Sequence, residues 1–396
     1  MLIVIGSSVP MPENNQQPPK PLEGDEPQLF APPQEAGSHK LERRGFLKAV
    51  AAAAGAFAAG GCKSRKGDTL SQTSPGKMLA PEGVPIPPVH RQCVFSVAFS
   101  PDGKLLASAG SSDTINLWSM PEGKLLMKLK GHRGGVYAVA FSPDGKLLAS
   151  SGTGGYEDIL LWSMPDGTPK GNLGRISVGI SPVAFSPDGK MLASYPVEKQ
   201  VAIHSVMANR ILKTLGEKGN RALPPIVFSP DGKLLATGGD DAIKLWSMPD
   251  GHLQAKFTLG LGNIFLYSLA FSPDGKMLVS ATNEKVLKVW PVPPEGDRHA
   301  VLKGCNEEVH AVAFSPDGSW LASAGCDKNG SALELWSLTE GDVQMTLRGC
   351  GARAYSVAFS PDSKLLASGD TDGRVLLWEL NGQKRRWALF DPSQTN

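Results

Sequence analysis

The eleven residues AFSPDGKLLAS, at positions 98–108, decide the fold because near copies of them recur along most of the chain. The phenylalanine of this phrase returns every 42 to 45 residues. Its seven positions are Phe99, Phe141, Phe185, Phe228, Phe271, Phe314 and Phe359. A period of this length predicts one small structural unit that is repeated seven times.

Each repeat has the residues of β-strands joined by tight turns. In the first copy Val97 and Phe99 alternate with small side chains, which is the two-residue period of a strand. The Ser-Pro-Asp-Gly that follows favours a hairpin turn, because proline pre-sets φ, aspartate bonds nearby backbone and glycine accepts a positive φ. A further apolar strand ends in a tryptophan, except in the third copy, which has His204. These tryptophans are Trp118, Trp162, Trp246, Trp290, Trp336 and Trp378.

A second turn and a shorter strand follow each tryptophan, so each repeat holds four strands. Over residues 89–391 this pattern resembles the WD-repeat family. The resemblance implies an all-β fold, a seven-bladed β-propeller of four-stranded antiparallel blades. The third copy departs furthest from the pattern, and Ser363 in the seventh stands where a glycine belongs. We expect local loosening in the third blade and, if φ is positive at Ser363, a cost of about 1 kcal/mol there.

The residues before the repeats are not expected to belong to the propeller, and they include a segment that predicts export. Residues 1–40 are rich in Pro, Gln and Glu, which predicts disorder. Residues 41–62 hold Arg43 and Arg44 before an Ala/Gly run and resemble a bacterial twin-arginine signal, the alternative being a short amphipathic helix. Cys62 stands where a lipoprotein would be lipidated, and cleavage after Ala58 competes with this. Residues 63–88 predict a flexible linker.

The composition argues against several classes of function. A net charge of +2, with no basic tract interleaved with aromatics, argues against nucleic acid as a partner. The five cysteines include no Cys-x-x-Cys pair, so we expect no zinc cage, and we expect no other cofactor. The seven turn aspartates could suggest a ring of metal ligands, but each has the same role in its own turn. These are Asp102, Asp144, Asp188, Asp231, Asp274, Asp317 and Asp362.

The family resemblance also implies a polar network in each blade, formed by a His, a Ser, an Asp and the Trp. In the first copy the matching residues are His90, Ser108, Asp113 and Trp118. In the second copy they are His132, Ser150, Asp158 (or Glu157) and Trp162. A Ser-His-Asp set could indicate a hydrolase, but the chain has no Gly-x-Ser-x-Gly nucleophile elbow. We therefore interpret these residues as a brace of the blade.

Two cysteines, Cys305 and Cys350, take the place of the network histidine in the sixth and seventh copies. The resemblance places Cys305 near Cys326, so it implies a disulfide between them in an oxidising compartment. Cys93 and Cys350 flank the junction of the first and seventh blades and form a second candidate pair. The alternative is that these cysteines are reduced, buried thiols.

The residue four positions before each repeat phenylalanine carries the clue to function. In the family this position opens onto the narrow top face, beside the central channel, where partners dock. The seven residues are Phe95, Tyr137, Ser181, Pro224, Tyr267, His310 and Tyr355. Phe265, Glu308 and Arg353, two positions earlier, are expected to border them. Tyr156 and Tyr195 map to loops on the same face, which would place all five tyrosines at one rim.

Tyrosine-rich surfaces often anchor protein interfaces, although these rings could also simply plug the channel. The sequence thus predicts a non-enzymatic, monomeric scaffold of the bacterial cell envelope that binds a protein or peptide partner. The predicted location is periplasmic or membrane-anchored, with contact to the membrane only through a lipid at Cys62. The alternatives are a propeller enzyme or small-ligand binder that uses the central channel, and a cytoplasmic scaffold.

Overall fold

A computed structural model describes the repeats and the segments that close them. The described residues are 77–79, 88–90, 93–152, 157–176, 181–195, 200–216, 225–239, 242–260, 264–293, 299–303, 308–327, 330–338, 342–348, 353–380 and 386–389. Within them, no helix is long and apolar enough to cross a membrane. The predicted disordered region 1–40, the signal-like segment 41–62 with Cys62, and most of the 63–88 linker lie outside the described residues.

The strands form seven antiparallel sheets, each built on four consecutive strands of the chain, and β1 is added to the seventh sheet. Strand β1 is Lys77–Leu79. Blade one is β2 (Val94–Phe99), β3 (Leu105–Gly110), β4 (Thr114–Ser119) and β5 (Leu125–Lys130). Blade two is β6 (Val136–Phe141), β7 (Leu147–Gly152), β8 (Glu157–Ser163) and β9 (Pro169–Ile176). Blade three is β10 (Val183–Phe185), β11 (Met191–Ser194), β12 (Val201–Ser205) and β13 (Arg210–Leu215).

The remaining blades follow the same order. Blade four is β14 (Ile226–Phe228), β15 (Leu234–Gly238), β16 (Ala242–Ser247) and β17 (Leu253–Thr258). Blade five is β18 (Leu266–Phe271), β19 (Met277–Thr282), β20 (Val286–Pro291) and β21 (Ala300–Lys303). Blade six is β22 (Val309–Phe314), β23 (Trp320–Asp327), β24 (Gly330–Ser337) and β25 (Asp342–Arg348). Blade seven is β26 (Ala354–Phe359), β27 (Leu365–Asp370), β28 (Val375–Glu379) and β29 (Arg386–Leu389). The predicted seven-bladed propeller is therefore confirmed.

The core of the propeller lies between the blades. One apolar cluster joins Ile115 and Leu129 of blade one to Leu148 and Trp162 of blade two, and further clusters join other neighbouring blades. Burial of apolar surface is the main stabilising term in folding, and each blade gains it on both faces only when its neighbours are in place. The sheets thus depend on one another for their stability.

Blade seven is closed by both ends of the repeat region. Its outer strand β29 comes from the C-terminal side of the repeats, and β1 pairs antiparallel with β29 as a fifth strand. The three residues of β1, Lys77–Leu79, fall within the predicted 63–88 linker. The unpaired edge of β29 offers backbone hydrogen bonds that an extended segment can take up. The backbone N–H groups of Val89 and His90 also donate to Gly373 O, at 2.8 and 3.1 Å.

The Ser-Pro-Asp-Gly turns have the geometry that the sequence predicted. Ser100 Oγ donates to Asp102 Oδ1 at 2.6 Å, and the N–H of Gly103, at φ 71°, donates to Ser100 O at 2.9 Å. The hydrogen bond from Ser100 lowers the pKa of Asp102 below its usual value. Among the described residues no group of three or more His, Cys, Asp or Glu side chains is placed to hold a metal ion. The turn role of these aspartates therefore accounts for their positions.

Ser363 has a φ of 59° in the glycine position of the seventh turn. Replacing Ser363 with glycine should raise the free energy of unfolding by up to about 1 kcal/mol, because a Cβ is strained at this φ. The gain is reduced by loss of the hydrogen bond that Ser363 Oγ accepts from the N–H of Asp317 at 3.2 Å. Denaturant unfolding measures the change. The reverse substitution Gly145→Ser, at φ 70°, is the matched control and should destabilise; a stabilising effect there would contradict the argument.

Blade three has a short inner strand, a largely exposed outer strand and a histidine in the tryptophan position. Its inner strand β10 has three residues where β2 and β6 have six, and β14 of blade four is equally short. Most of the outer strand β13 is exposed, and Met207 in the preceding turn is 93% exposed. His204 takes the place of the tryptophan and is buried, with Nε2 2.8 Å from Ser194 Oγ. The local loosening expected from the sequence in this blade stays a prediction.

Candidate functional site

A β-bulge interrupts the inner strand of five blades at the position singled out in the sequence. In blade one Val94 pairs with Gly110 and Ser96 pairs with Ala109, which leaves Phe95 as the extra residue. The bulges in β6, β18, β22 and β26 leave the equivalent residues Tyr137, Tyr267, His310 and Tyr355. A bulge twists its strand and re-aims the extra side chain, so these five residues are set apart from the regular pairing. The strand pattern of the sequence does not predict these bulges.

A glycine opposite the bulge is the feature of the sequence that could have predicted it. A Cβ on Gly110 would lie 2.0 Å from Cys93 O, and one on Gly325 would lie 2.6 Å from Glu308 O. The backbone of the bulged strand therefore passes closer than any side chain allows at these two positions. The equivalent residue is Thr282 in blade five and Asp370 in blade seven, so the glycine marks only some of the bulges.

The five bulged residues form a continuous series of rings, here called the aromatic arc (Phe95, Tyr137, Tyr267, His310 and Tyr355). The centroids of neighbouring rings are 4.8 Å apart for Tyr267–His310 and 4.9 Å for His310–Tyr355. The series continues at 6.4 Å for Tyr355–Phe95 and 6.0 Å for Phe95–Tyr137. All five residues are half-buried. They lie near the start of their strands, at the opposite end from the Ser-Pro-Asp-Gly turns.

Blades three and four interrupt the arc. Ser181 occupies the position in blade three and is buried, with Oγ accepting a hydrogen bond from the N–H of Tyr195 at 3.0 Å. Pro224, in blade four, lies outside the described residues. No bulge is present in the three-residue strands β10 and β14.

The expectation that all five tyrosines share one rim is wrong for Tyr195. This side chain is 4% exposed, packs in the core between blades three and four, and donates its hydroxyl to Gly238 O at 3.3 Å. In this position the ring of Tyr195 packs against apolar core residues while its hydroxyl is hydrogen-bonded. The sequence pattern alone did not reveal this. Tyr156 lies outside the described residues. The remaining three tyrosines belong to the aromatic arc.

Charged and exposed residues border the arc in blades five to seven. The Tyr267 hydroxyl donates to Glu308 Oε2 at 3.4 Å. Phe265 is 58% exposed and Arg353 is also exposed. Burial raises the pKa of Tyr267, and the charge of Glu308 raises it further. Burial lowers the pKa of His310, and the Arg353 charge lowers it further, so the imidazole is neutral at pH 7.

The predicted polar networks lie inside the blades. In blade one His90 Nε2 is 3.0 Å from Ser108 Oγ, and Trp118 Nε1–H donates to the same oxygen at 2.9 Å. His90 Nδ1 is 2.8 Å from Ser112 Oγ, whereas Asp113 is exposed. The assignment of Asp113 to the network is thus corrected to Ser112, because its hydroxyl lies within hydrogen-bond distance of the ring while Asp113 is exposed. Ser108 is fully buried and bonded on both sides, an arrangement that braces a blade.

The brace recurs with small changes around the ring. In blade two Ser150 Oγ is 2.8 Å from His132 Nε2 and accepts Trp162 Nε1–H at 2.8 Å. The side chain of Asp158 lies outside the described residues. In later blades a hydroxyl again accepts the tryptophan N–H, with the pairs Thr237–Trp246, Ser280–Trp290, Ser323–Trp336 and Ser368–Trp378 at 2.9 to 3.2 Å.

The cysteine predictions fall largely outside the described residues. Cys305 and Cys350 are not described, and Cys326 is placed only as a backbone member of β23, paired with Ser331. Cys93 is a half-buried free thiol. The candidate pair Cys93–Cys350 is therefore not formed in this structure, and the Cys305–Cys326 disulfide stays a prediction.

The fold and its repeated brace define the chain as a seven-bladed propeller built from tryptophan-centred repeats. A family model of the WD domain, G-beta repeat, matches residues 85–119, 123–162, 226–247, 258–291, 296–329 and 341–379, just over half of the chain. The chain therefore belongs to this WD40 family. The longest gap between matched segments, 163–225, contains blade three, the blade that departs most from the pattern. The comparison with curated proteins found no match.

Proposed function

We propose that this chain is a non-enzymatic scaffold of the bacterial cell envelope that binds a protein or peptide on the face of the aromatic arc. Propellers of the WD40 family typically serve protein interaction. The observation that carries the proposal is the arc itself, five neighbouring rings set on bulges at one end of the inner strands. Half-buried aromatic rings with polar tips supply large, rigid contact areas, which is why they dominate interface energetics.

The buried braces support a scaffold over a hydrolase. Ser108 and His90 are within hydrogen-bond distance, but the hydroxyl is fully buried and already accepts the Trp118 N–H. A nucleophile must reach its substrate, whereas a brace must be enclosed. The Ser-His pairs therefore favour a structural role.

The envelope location rests on the sequence before the propeller. Arg43 and Arg44, the Ala/Gly run and Cys62 resemble an export signal with a lipidation site. Fractionation of cells that express the full chain tests this part separately. Recovery in the membrane or periplasmic fraction, lost on replacing both arginines with lysine, supports export; recovery in the cytoplasm alone contradicts it.

The binding face is tested by capture of partners from envelope extract. The triple substitution Tyr137→Ala, Tyr267→Ala and Tyr355→Ala should reduce capture of specific partners at least about tenfold, since each aromatic anchor contributes more than 1 kcal/mol at a binding centre. The matched control removes exposed apolar side chains from outer strands, with Leu126→Ala, Ile211→Ala and Leu212→Ala. Thermal unfolding verifies that both variants are folded. Identical catches from wild type and the tyrosine variant would refute this face.

A further inference from the structure

We infer that the aromatic arc binds a positively charged side chain, an arginine or lysine of the bound peptide. The inference rests on the proposed function and adds the chemistry of the partner. Five π-systems follow one another along the arc, with neighbouring centroids 4.8 to 6.4 Å apart. The face of an aromatic ring carries negative potential and attracts ammonium and guanidinium groups, while it repels anions.

A carboxylate lies at the Tyr267 end of the arc. Glu308 Oε2 is 3.4 Å from the Tyr267 hydroxyl, so its charge is held beside the Tyr267–His310 pair. Glu308 is only half-buried, which leaves it accessible to a ligand. A carboxylate next to π faces favours a cationic hydrogen-bond donor, because the charge-assisted bond adds to the attraction of the rings.

His310 supplies a second independent indication. Its Nε2 atom is buried and has no hydrogen-bond partner within the described part of the chain. Burial lowers the pKa of this imidazole, so it is neutral at pH 7 and one of its ring nitrogens can accept a hydrogen bond. An unpaired polar atom that is buried costs free energy, and a guanidinium or ammonium N–H could satisfy it.

The positive charge of Arg353 should repel a cationic ligand, so removing this charge should strengthen binding. Arg353 is exposed on the blade seven side, and its positive charge lowers the pKa of both His310 and Tyr267. The same charge should weaken binding of a cation at the arc. Glu308→Gln and Arg353→Gln are therefore expected to change the affinity in opposite directions, which no purely steric effect of the substitutions would produce.

The experiment uses three libraries of fluorescent heptapeptides with a fixed central arginine, citrulline or glutamate between randomised residues. Citrulline keeps the shape of arginine without its charge. The full chain should bind the arginine library at least about tenfold more tightly than the citrulline library, consistent with cation–π and carboxylate contacts together. This preference should fall in Glu308→Gln and rise in Arg353→Gln. Glu122→Gln, an exposed residue in the second turn of blade one, is the matched control and should keep it.

Several outcomes would overturn the inference. These are no binding, equal affinity for arginine and citrulline, a preference for glutamate, or an arginine preference that persists in the triple tyrosine variant. If one of these results is found while the tyrosine variant still loses its envelope partners, the proposed binding face stands and only the cation specificity fails. If both assays are unaffected by the tyrosine substitutions, the proposed face fails as well.

Discussion

Replacing Trp118 with alanine is expected to lower the free energy of unfolding by roughly 3–5 kcal/mol, the usual cost of truncating a large buried aromatic residue. Trp118 is fully buried and packs with Leu106, Leu377 and Leu389 where blades one and seven meet. The substitution leaves a cavity at the closure of the ring and deprives the buried Ser108 hydroxyl of its tryptophan donor. Both effects destabilise in the same direction, because a cavity loses contacts and the polar brace loses a partner.

Denaturant unfolding of wild type and variant measures this difference. Trp118→Phe separates the two contributions, since it keeps most of the apolar volume but removes the N–H donor. Met207→Ala is the matched control, because that side chain is 93% exposed, and it should stay within about 0.5 kcal/mol of wild type. A loss of less than about 1 kcal/mol for Trp118→Ala would show that the neighbouring blades relax into the space.

Acidification from pH 7 to pH 4 is expected to lower the free energy of unfolding because of two buried histidines. Burial lowers the pKa of His90 and of His204 from 6.5 to about 4. Between these values the unfolded chain binds protons that the folded chain excludes. Stability therefore falls as the pH falls from about 6.5 to about 4, by roughly 3 kcal/mol for each histidine, and is fully present above that window.

Asp370 acts in the opposite direction over part of the same range. Burial raises its pKa from 3.8 to about 6, so this group contributes stability that is present at low pH and is lost as the pH rises through 6. The pH dependence of wild-type stability thus combines the opposite contributions of Asp370 and the two histidines. Variants that lack one histidine, compared with wild type across the pH range, isolate the contribution of that histidine.

His204→Gln removes one titrating group and is the sharper test. Its stability relative to wild type should improve by roughly 3 kcal/mol between pH 7 and pH 4, because glutamine takes up no proton in the unfolded chain. Unfolding in denaturant at stepped pH values measures this difference. Met207→Gln, an exposed control in the turn before β13, should follow the wild-type profile. A pH-independent difference between His204→Gln and wild type would mean that His204 does not titrate as its burial implies.

The sequence alone determined the repeat, the turns and the number of blades. These features depend on local chemistry, since Ser-Pro-Asp-Gly closes a hairpin wherever it occurs, and Ser363 kept the positive φ of the glycine that it replaces. The period of the tryptophans likewise reports burial between blades, which the core clusters confirm. The positions of the aromatic arc were found in the same way, as departures from a repeated pattern.

Only the tertiary structure decided which of those residues meet. The bulges at Phe95 and its equivalents arise from a register shift between strands, and no single-strand pattern encodes a register shift. Tyr195 lies in the core rather than at the rim, and Ser112 rather than Asp113 lies within hydrogen-bond distance of His90. The pairing of β1 with β29 joins segments about 300 residues apart, a contact set by closure of the ring. Local sequence fixes how each blade folds, whereas contacts between blades depend on distances that exist only once the ring has closed.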